Sequence, residues 1–357
     1  MLPKLFQDLL KEWHLQLERP LPWVNEKDPY KIWISEIILQ QTRVVQGLPY
    51  YKRFLDNFPN VIALANATEA EVIKCWEGLG YYSRARNIHW SAKYIVKEYD
   101  GVFPSQYDEI IKLKGVGPYA AAAIASFAFS LPYAVLDGNV HRVISRIFSI
   151  TTDITTSKGR KIIQDIADKL LDKENPAGFN QAIMDFGATV CLPASPLCDQ
   201  CVFADHCTSY LTDTQRDFPF KKIKKPLRNR YFHLFLVKAG KHIFLSHRKE
   251  KDIWRGLYTL PFIETRDERC EFPLEGIQIG GISIDENQIQ ILNYTDQQLL
   301  THQRIHLYYY QVTIETGGEK IAGDSIEMIP LTNIKEFAFP KFLLRFIADN
   351  KSLFEYN

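Results

Sequence analysis

The chain has 357 residues, of which 46% are hydrophobic and 24% charged, with a formal net charge of +1. That length exceeds what one hydrophobic core usually organises, so two domains are expected, and the composition is that of a soluble globular protein. The near-zero charge excludes a global basic field, so an anionic partner must be met by local patches and backbone amides.

The first stretch, MLPKLFQDLLKEWHLQL, reads as an amphipathic helix and not as a signal peptide. No later stretch is long enough to span a bilayer, which points to the cytoplasm, where disulfides are rare. Up to about Tyr210 nearly everything carries the 3.6-residue apolar period of helices, as in DPYKIWISEIILQQTRVVQGLPYYKRFL, EAEVIKCWEGL and YSRARNIHWSAKYIVKEY. Within the first of these, Glu36 is flanked by Trp33, Ile34, Ile37 and Ile38. Burial there would favour its protonated form and suit it to general-acid work. The pattern equally allows a place on the wet side of an amphipathic helix. Cys75, in EVIKCWEGL, reads as a small core residue.

Next comes LKGVGPYAAAAIASFAF. YDEIIKLK reads as one helix, GVG as a tight turn, and PYAAAAIASF as a second helix opened by Pro118. Gly115 and Gly117 permit close approach by a partner backbone around Val116, and the turn amides suit a DNA phosphate. A plain αα-turn is the alternative. Asp137 ends an apolar run just before another helix, as an N-cap does, and capping can also hold a carboxylate ionised in a cleft.

The run CLPASPLCDQCVFADHC then gathers four of six cysteines, Cys191, Cys198, Cys201 and Cys207, at C-x6-C-x2-C-x5-C. In a cytoplasmic protein such a cluster is a metal site more readily than a disulfide staple. The unequal gaps suit a [4Fe–4S] cluster, and structural zinc stays open on chemistry alone. Cys270 stands apart. LTDTQRDFPFKKIKKPLRNR is basic, carries two prolines and reads as a linker. Beyond it YFHLFLVK, KHIFLSHR, GIQIGGISI and HLYYYQVTIET carry strand signals.

Taken together, the cysteine spacing, the hairpin with Gly115 and Gly117, and the aspartate after it resemble the endonuclease III superfamily of DNA glycosylases over about Arg19 to Cys207. The resemblance implies a [4Fe–4S] cluster on the four cysteines, and a groove for duplex DNA from which a base is flipped into a pocket. Within that superfamily LPWV (Leu21 to Val24), WISEIILQQT (Trp33 to Thr42), GLGYYSRARN (Gly78 to Asn87) and LDGNVHRV (Leu136 to Val143) resemble the MutY-type adenine DNA glycosylases. Bifunctional relatives carry a lysine nucleophile after Pro118, whereas this chain has Tyr119, which cannot form a Schiff base.

By resemblance, Glu36 is the general acid at the purine N7 and Asp137 stays ionised to stabilise the oxocarbenium-like sugar, electrostatically or through a short-lived adduct. Asn139 and Tyr119 fall at supporting positions. Arg19, Leu21, Trp23 and Gln181 fall where the family lines its adenine pocket, although Val24 stands where the family commonly has arginine. Gln41, Thr42 and Tyr81 match positions beside 8-oxoguanine on the opposite strand, Tyr81 as a wedge. In the C-terminal region, LLTHQRIHLYYY and WRGLYTLP (Trp254 to Pro261) resemble the Nudix-like module that inspects 8-oxoguanine through Thr301 and His302. There Leu300 replaces the usual aromatic, and the acidic run of a working Nudix hydrolase is missing, so no phosphohydrolase activity is expected. The loop LPASPL lacks the family's basic residue between the first two ligands, which leaves Lys112, Lys114 or the linker lysines for phosphate.

The expected fold class is a mainly α helix-hairpin-helix glycosylase domain with an iron–sulfur loop, plus a smaller α+β Nudix-like C-terminal domain. The catalytic domain covers 1–210, with a six-helix barrel lobe at about 22–135 and a cluster lobe at about 1–21 and 136–210. A basic linker covers 211–230 and the 8-oxoguanine-recognition domain 231–357. The expected partner is double-stranded DNA with A:8-oxoguanine or A:G mispairs, met by a monomer in the nucleoid and no membrane. Repair partners such as a sliding clamp are not identified by the residues. A pyrimidine-lesion glycosylase with lyase activity and a non-catalytic reader of bent DNA are the competing classes. Tyr119 and the extra domain argue against the first, and Glu36 with Asp137 against the second.

Overall fold

The computed structural model describes residues 1–220, 226–265, 277–279, 282–314 and 326–355. Lys221, Lys222, Lys224 and Lys225 of the linker, Cys270, and Gly276, Gly280 and Gly281 of GIQIGGISI lie outside the described residues.

In chain order the helices are α1 (Pro3–Leu15), α2 (Pro29–Leu39), α3 (Val44–Asn57), α4 (Val61–Asn66), α5 (Glu69–Cys75), α6 (Ser83–Tyr99), α7 (Tyr107–Ile110), α8 (Pro118–Phe129), α9 (Gly138–Ile147), α10 (Ser157–Leu170), α11 (Pro176–Thr189) and α12 (Thr208–Leu211). The strands are β1 (Arg228–Ala239), β2 (His242–His247), β3 (Tyr258–Thr259), β4 (Phe262–Thr265), β5 (Ile277–Ile279), β6 (Ile282–Ile284), β7 (Ile289–Leu299), β8 (Gln303–Thr313) and β9 (Ile326–Pro330), followed by α13 (Lys341–Asp349). No helix among the described residues is long and apolar enough to cross a membrane.

The chain divides into two compact units, one of Met1–Asn66 with Asn87–Lys224 and one of Ala67–Arg86 with Lys225–Asn357. In the first, α1 returns to the late helices. Phe6 and Leu10 are buried with Val140, Val143, Ile163, Ile183, Phe186 and Phe203. The Phe6 ring stacks on Phe203 at 4.6 Å, which ties the N-terminal helix to the cysteine loop. Asp28 caps α2 by accepting from the Tyr30 amide, and Pro29 fills its first turn. From Ile32 to Ile38 every residue of α2 is buried, so this helix has no wet side.

Two expectations about this unit change. The segment 107–114 forms only the short α7 before turning, because the chain must reach Gly115 at φ +82, a conformation glycine adopts without cost. Residues 211–220 are not free linker. The Arg146 guanidinium donates to the carbonyls of Gln215 and Phe218, and the Ile154 amide donates to the Phe220 carbonyl.

The second unit is built on a mixed sheet ordered β3-β2-β1-β8-β7, with β4 on β1 and β9 on β2. β1 runs parallel to β8, pairing Phe232 with Leu307 and Leu234 with Tyr309, and the other pairings are antiparallel. Phe346 of α13 stacks on Tyr309 at 4.2 Å. Ala67–Arg86, expected within the barrel lobe, is grouped with this unit by its contacts. Lys74 Nζ donates to the Phe337 carbonyl at 2.7 Å, the Phe339 amide to Glu77 at 2.8 Å, and Arg86 to the Arg255 carbonyl at 2.6 Å. Helical periodicity gave the type of this segment but not what it packs against. Cys75, at the end of α5, is half-buried and not a core residue.

Candidate active site

One cavity of about 530 Å³ in the first unit is lined by Glu36, Tyr119, Asp137, Asn139, Gln41 and Thr42, together with Arg19, Leu21, Trp23 and Gln181. Helices α2, α3, α8, α9 and α11 build it, with the 19–23 segment and the 40–42 turn. α2 contributes Glu36 at 5% exposure, surrounded by its own buried isoleucines. Desolvation pushes its carboxyl up to about 7; the hydrogen bond from Tyr119 opposes that rise, and the Asp137 charge adds to it. Tyr119, in the first turn of α8, donates its hydroxyl to Glu36 Oε2 at 2.6 Å. Burial and the two carboxylates hold the Tyr119 hydroxyl well above its ordinary range, so it stays a donor.

Asp137 caps α9, with Oδ1 accepting from the Val140 amide at 2.7 Å and Oδ2 from Asn139 Nδ2 at 2.7 Å. Burial raises its carboxyl too, but the Val140 amide, Asn139 and Arg142 all favour its charged form. The two carboxyls therefore do not shift in opposite directions. They differ in how much opposes burial: one neutral donor at Glu36, and several donors with a guanidinium at Asp137. The segment leading to Asp137 is clamped by Asn180, 1% exposed, which accepts from the Val135 amide and donates to Ser126 and the Tyr133 carbonyl.

Asn139 is fixed from behind. Arg142 donates to Asn139 Oδ1 at 2.9 Å, to the Gly187 carbonyl at 2.6 Å and to the Cys191 carbonyl at 2.7 Å. Gly187 lets α11 pass close, since a Cβ there would stand 2.6 Å from Asn139 Cβ. Along the wall formed by Arg19 and Gln181, Asp185 is 2% exposed and accepts from Arg19, from Gln181 at 2.9 Å and from His14 at 3.2 Å. Burial works against its ionisation, and His14, Gln181 and Arg19 outweigh it, leaving the carboxyl below its usual range.

Cys191, Cys198, Cys201 and Cys207 line one small pocket with Ile147, Phe186, Val190 and Leu197. Burial raises the thiols of Cys191 and Cys198 and pushes Cys201 up to about 12, so thiolates here call for compensating positive charge. Arg146 Nη1 reaches Cys191 Sγ at 3.4 Å and the Leu192 carbonyl at 2.6 Å. Among the described residues no group of His, Cys, Asp or Glu is gathered tightly enough for a single ion. Four thiols around one pocket are the donor set that a multi-iron cluster takes.

The hairpin residues Gly115 and Gly117 are exposed, while Val116 is buried beneath them. Gly117 caps α8 without a side chain, so the helix start presents uncovered amides. In the second unit, Tyr81 is 48% exposed at φ +50, and its hydroxyl lies 3.0 Å from Thr301 Oγ1. Thr301 and His302 are exposed at the tip between β7 and β8. Gln41, between α2 and α3, also takes a left-handed backbone at φ +55. Such outliers concentrate at functional positions.

A family model described as the HhH-GPD superfamily base excision DNA repair protein matches residues 34–169, and one described as a NUDIX domain matches 233–349. Over 311 residues the chain is 40% identical to the adenine DNA glycosylase of Buchnera aphidicola subsp. Baizongia pistaciae, covering 85% of this chain and 84% of that protein. The chain belongs to the adenine DNA glycosylase family. It is also 36% identical to the family member of Buchnera aphidicola subsp. Acyrthosiphon pisum over 265 residues, 74% of this chain and 76% of that one. The solved structure of a thermostable thymine-DNA glycosylase has a TM-score of 0.55 at 28% identity, covering 59% of this chain and 97% of that one. A non-covalent endonuclease III–DNA complex shares the fold at a TM-score of 0.51 and 20% identity, covering 60% of this chain and 99% of that one.

In this adenine DNA glycosylase family member, ten of the residues singled out from sequence line the one cavity. The hairpin glycines, the four cysteines, Tyr81, Thr301 and His302 are not among the residues that line it. Sequence reasoning missed Asp185, Arg142 and Arg146. Arg142 and Arg146 are four apart on α9 and Gln181 and Asp185 four apart on α11, spacings that look like solvated faces. Their carriers, α9 and α11, are buried on the sides that hold them, at 8%, 2% and 2% exposure for Arg142, Arg146 and Asp185.

Proposed function

We propose that this chain hydrolyses the N-glycosidic bond of adenine mispaired with 8-oxoguanine or guanine in duplex DNA, leaving an abasic site without cutting the strand. The observation that carries this reading is the pairing of a buried Glu36, with its carboxyl near 7, and a multiply hydrogen-bonded Asp137 in one cavity. Glu36 in its protonated form gives its proton to N7 of the flipped adenine, so the base leaves neutral. Asp137, held by Val140 and Asn139, faces the sugar and stabilises positive charge there. Tyr119 orients Glu36. Water then adds to the sugar and gives its surplus proton to the carboxylate that Glu36 has become, which completes hydrolysis and restores the acid. No amine stands after Pro118 to hold the sugar covalently, which supports base removal without lyase cutting.

Arg19, Leu21, Trp23 and Gln181 form the base pocket. Gly115 and Gly117 offer amides to a phosphate, while Val116 between them donates its own amide to the Leu113 carbonyl and anchors the turn, and Gln41, Thr42, Tyr81, Thr301 and His302 meet the opposite base. Cys191, Cys198, Cys201 and Cys207 would hold a [4Fe–4S] cluster, which supplies cross-links that fix the loop and a redox-active centre. The setting that follows is the nucleoid, on chromosomal DNA.

Duplexes carrying A opposite 8-oxoguanine, A opposite G, or an oxidised pyrimidine test the reading with and without alkali. Cuts confined to adenine and revealed only by alkali are expected. Cuts without alkali would establish a lyase instead, and binding without product a non-catalytic reader. Iron and sulfide analysis with a broad visible absorbance is expected for the purified protein; zinc alone would refute the cluster.

A further inference from the structure

A second cavity, about 770 Å³, lies in the same unit. It shares Arg19, Leu21, Trp23, Phe127, Gln181 and Asp185 with the catalytic cavity, so these six residues stand as a wall between the two. Its own lining includes His14, Leu17, Glu18, Val24, Asn175 and Ala177. Glu18 and Asn175 are exposed, so it opens to solvent, and neither the 40–44 turn nor the start of α9, which bound the catalytic cavity, lines it. We propose that this rear cavity is the route by which freed adenine leaves while the abasic duplex still fills the front. The inference rests on the activity proposed above.

The wall suits that passage. Trp23, Leu21 and Phe127 offer flat apolar surface to a planar neutral base, and Arg19 and Gln181 offer donors to its polar edge. Both donors are long, half-exposed side chains anchored on Asp185 by side-chain bonds, so rotamer changes move them without moving the backbone. The short Val24 lines the rear cavity and not the catalytic one, which keeps the far side wide. A base confined to the front would have to wait for the duplex, because the abasic strand lies across that mouth.

The test uses the full-length protein and an A:8-oxoguanine duplex with tritiated adenine, under single turnover, sampled by rapid gel filtration. For the unmodified protein, tritium should elute as free base while the abasic strand still elutes with protein. Glu18→Trp and Ala177→Trp each narrow the rear cavity at positions that do not line the catalytic one. Both should cleave at the unmodified rate, read as alkali-revealed cuts, yet release tritium at least ~10-fold more slowly, with base co-eluting with protein. An unchanged cleavage rate certifies that each variant is folded. Release at the unmodified rate from a variant that cleaves normally would overturn the route, as would tritium leaving the unmodified protein only together with the duplex. Failure of the unmodified protein to cleave would instead overturn the activity itself, visible as intact strand after alkali.

Discussion

At Glu36 the surroundings decide the chemistry. An exposed carboxyl is ionised at neutral pH and has no proton to give, whereas burial among the α2 isoleucines raises it to about 7. The sign follows. A raised carboxyl pKa favours the folded protonated form, so its contribution to stability is full below the ordinary carboxyl pKa and is lost as pH rises through about 7. Adenine release should therefore fall as pH rises past about 7, measured as single-turnover rate against pH. The Tyr119 hydrogen bond favours the charged form, so Tyr119→Phe should move this alkaline limb to higher pH; a shift to lower pH would contradict the assignment. The sequence alone left Glu36 undecided, because periodicity places a residue on a helix without saying that every side of that helix is covered.

At the scale of elements, the site depends on α9 and α11 passing at glycine distance. Gly187→Ala would set a methyl 2.6 Å from Asn139 Cβ and displace the amide that holds Asp137. A displacement of this size should lower the single-turnover rate about 100-fold while mismatch binding persists; a rate within threefold of the original would show that Asn139 has room to shift. The helices, the hairpin turn and the strand region were legible, since each is set by local spacing and turn residues. Asp185 and Arg142 were not, because an acid or a base at helical spacing looks the same whether water or another helix faces it. The grouping of Ala67–Arg86 with the C-terminal strands was also hidden, resting on pairs such as Lys74 with the Phe337 carbonyl, 263 positions apart.

For the whole molecule, the proposed catalytic residues and the Tyr81–Thr301–His302 group fall in different units. The catalytic cavity is wholly within the first, and Tyr81, Thr301 and His302 within the second. Thr301→Ala with His302→Ala should reduce the preference for 8-oxoguanine over guanine by about tenfold, the worth of one or two net hydrogen bonds, with cleavage at A:G little changed. An unchanged preference would mean that the second unit does not inspect the base.

The most direct test of the account is Glu36→Gln on an A:8-oxoguanine duplex, with single-turnover adenine release and binding measured on the same preparation. Release should fall by roughly 100- to 10,000-fold with affinity within about threefold of the unmodified protein. Release at more than a tenth of the original rate, or a loss of affinity as large as the loss of rate, would contradict the claim that Glu36 delivers the proton.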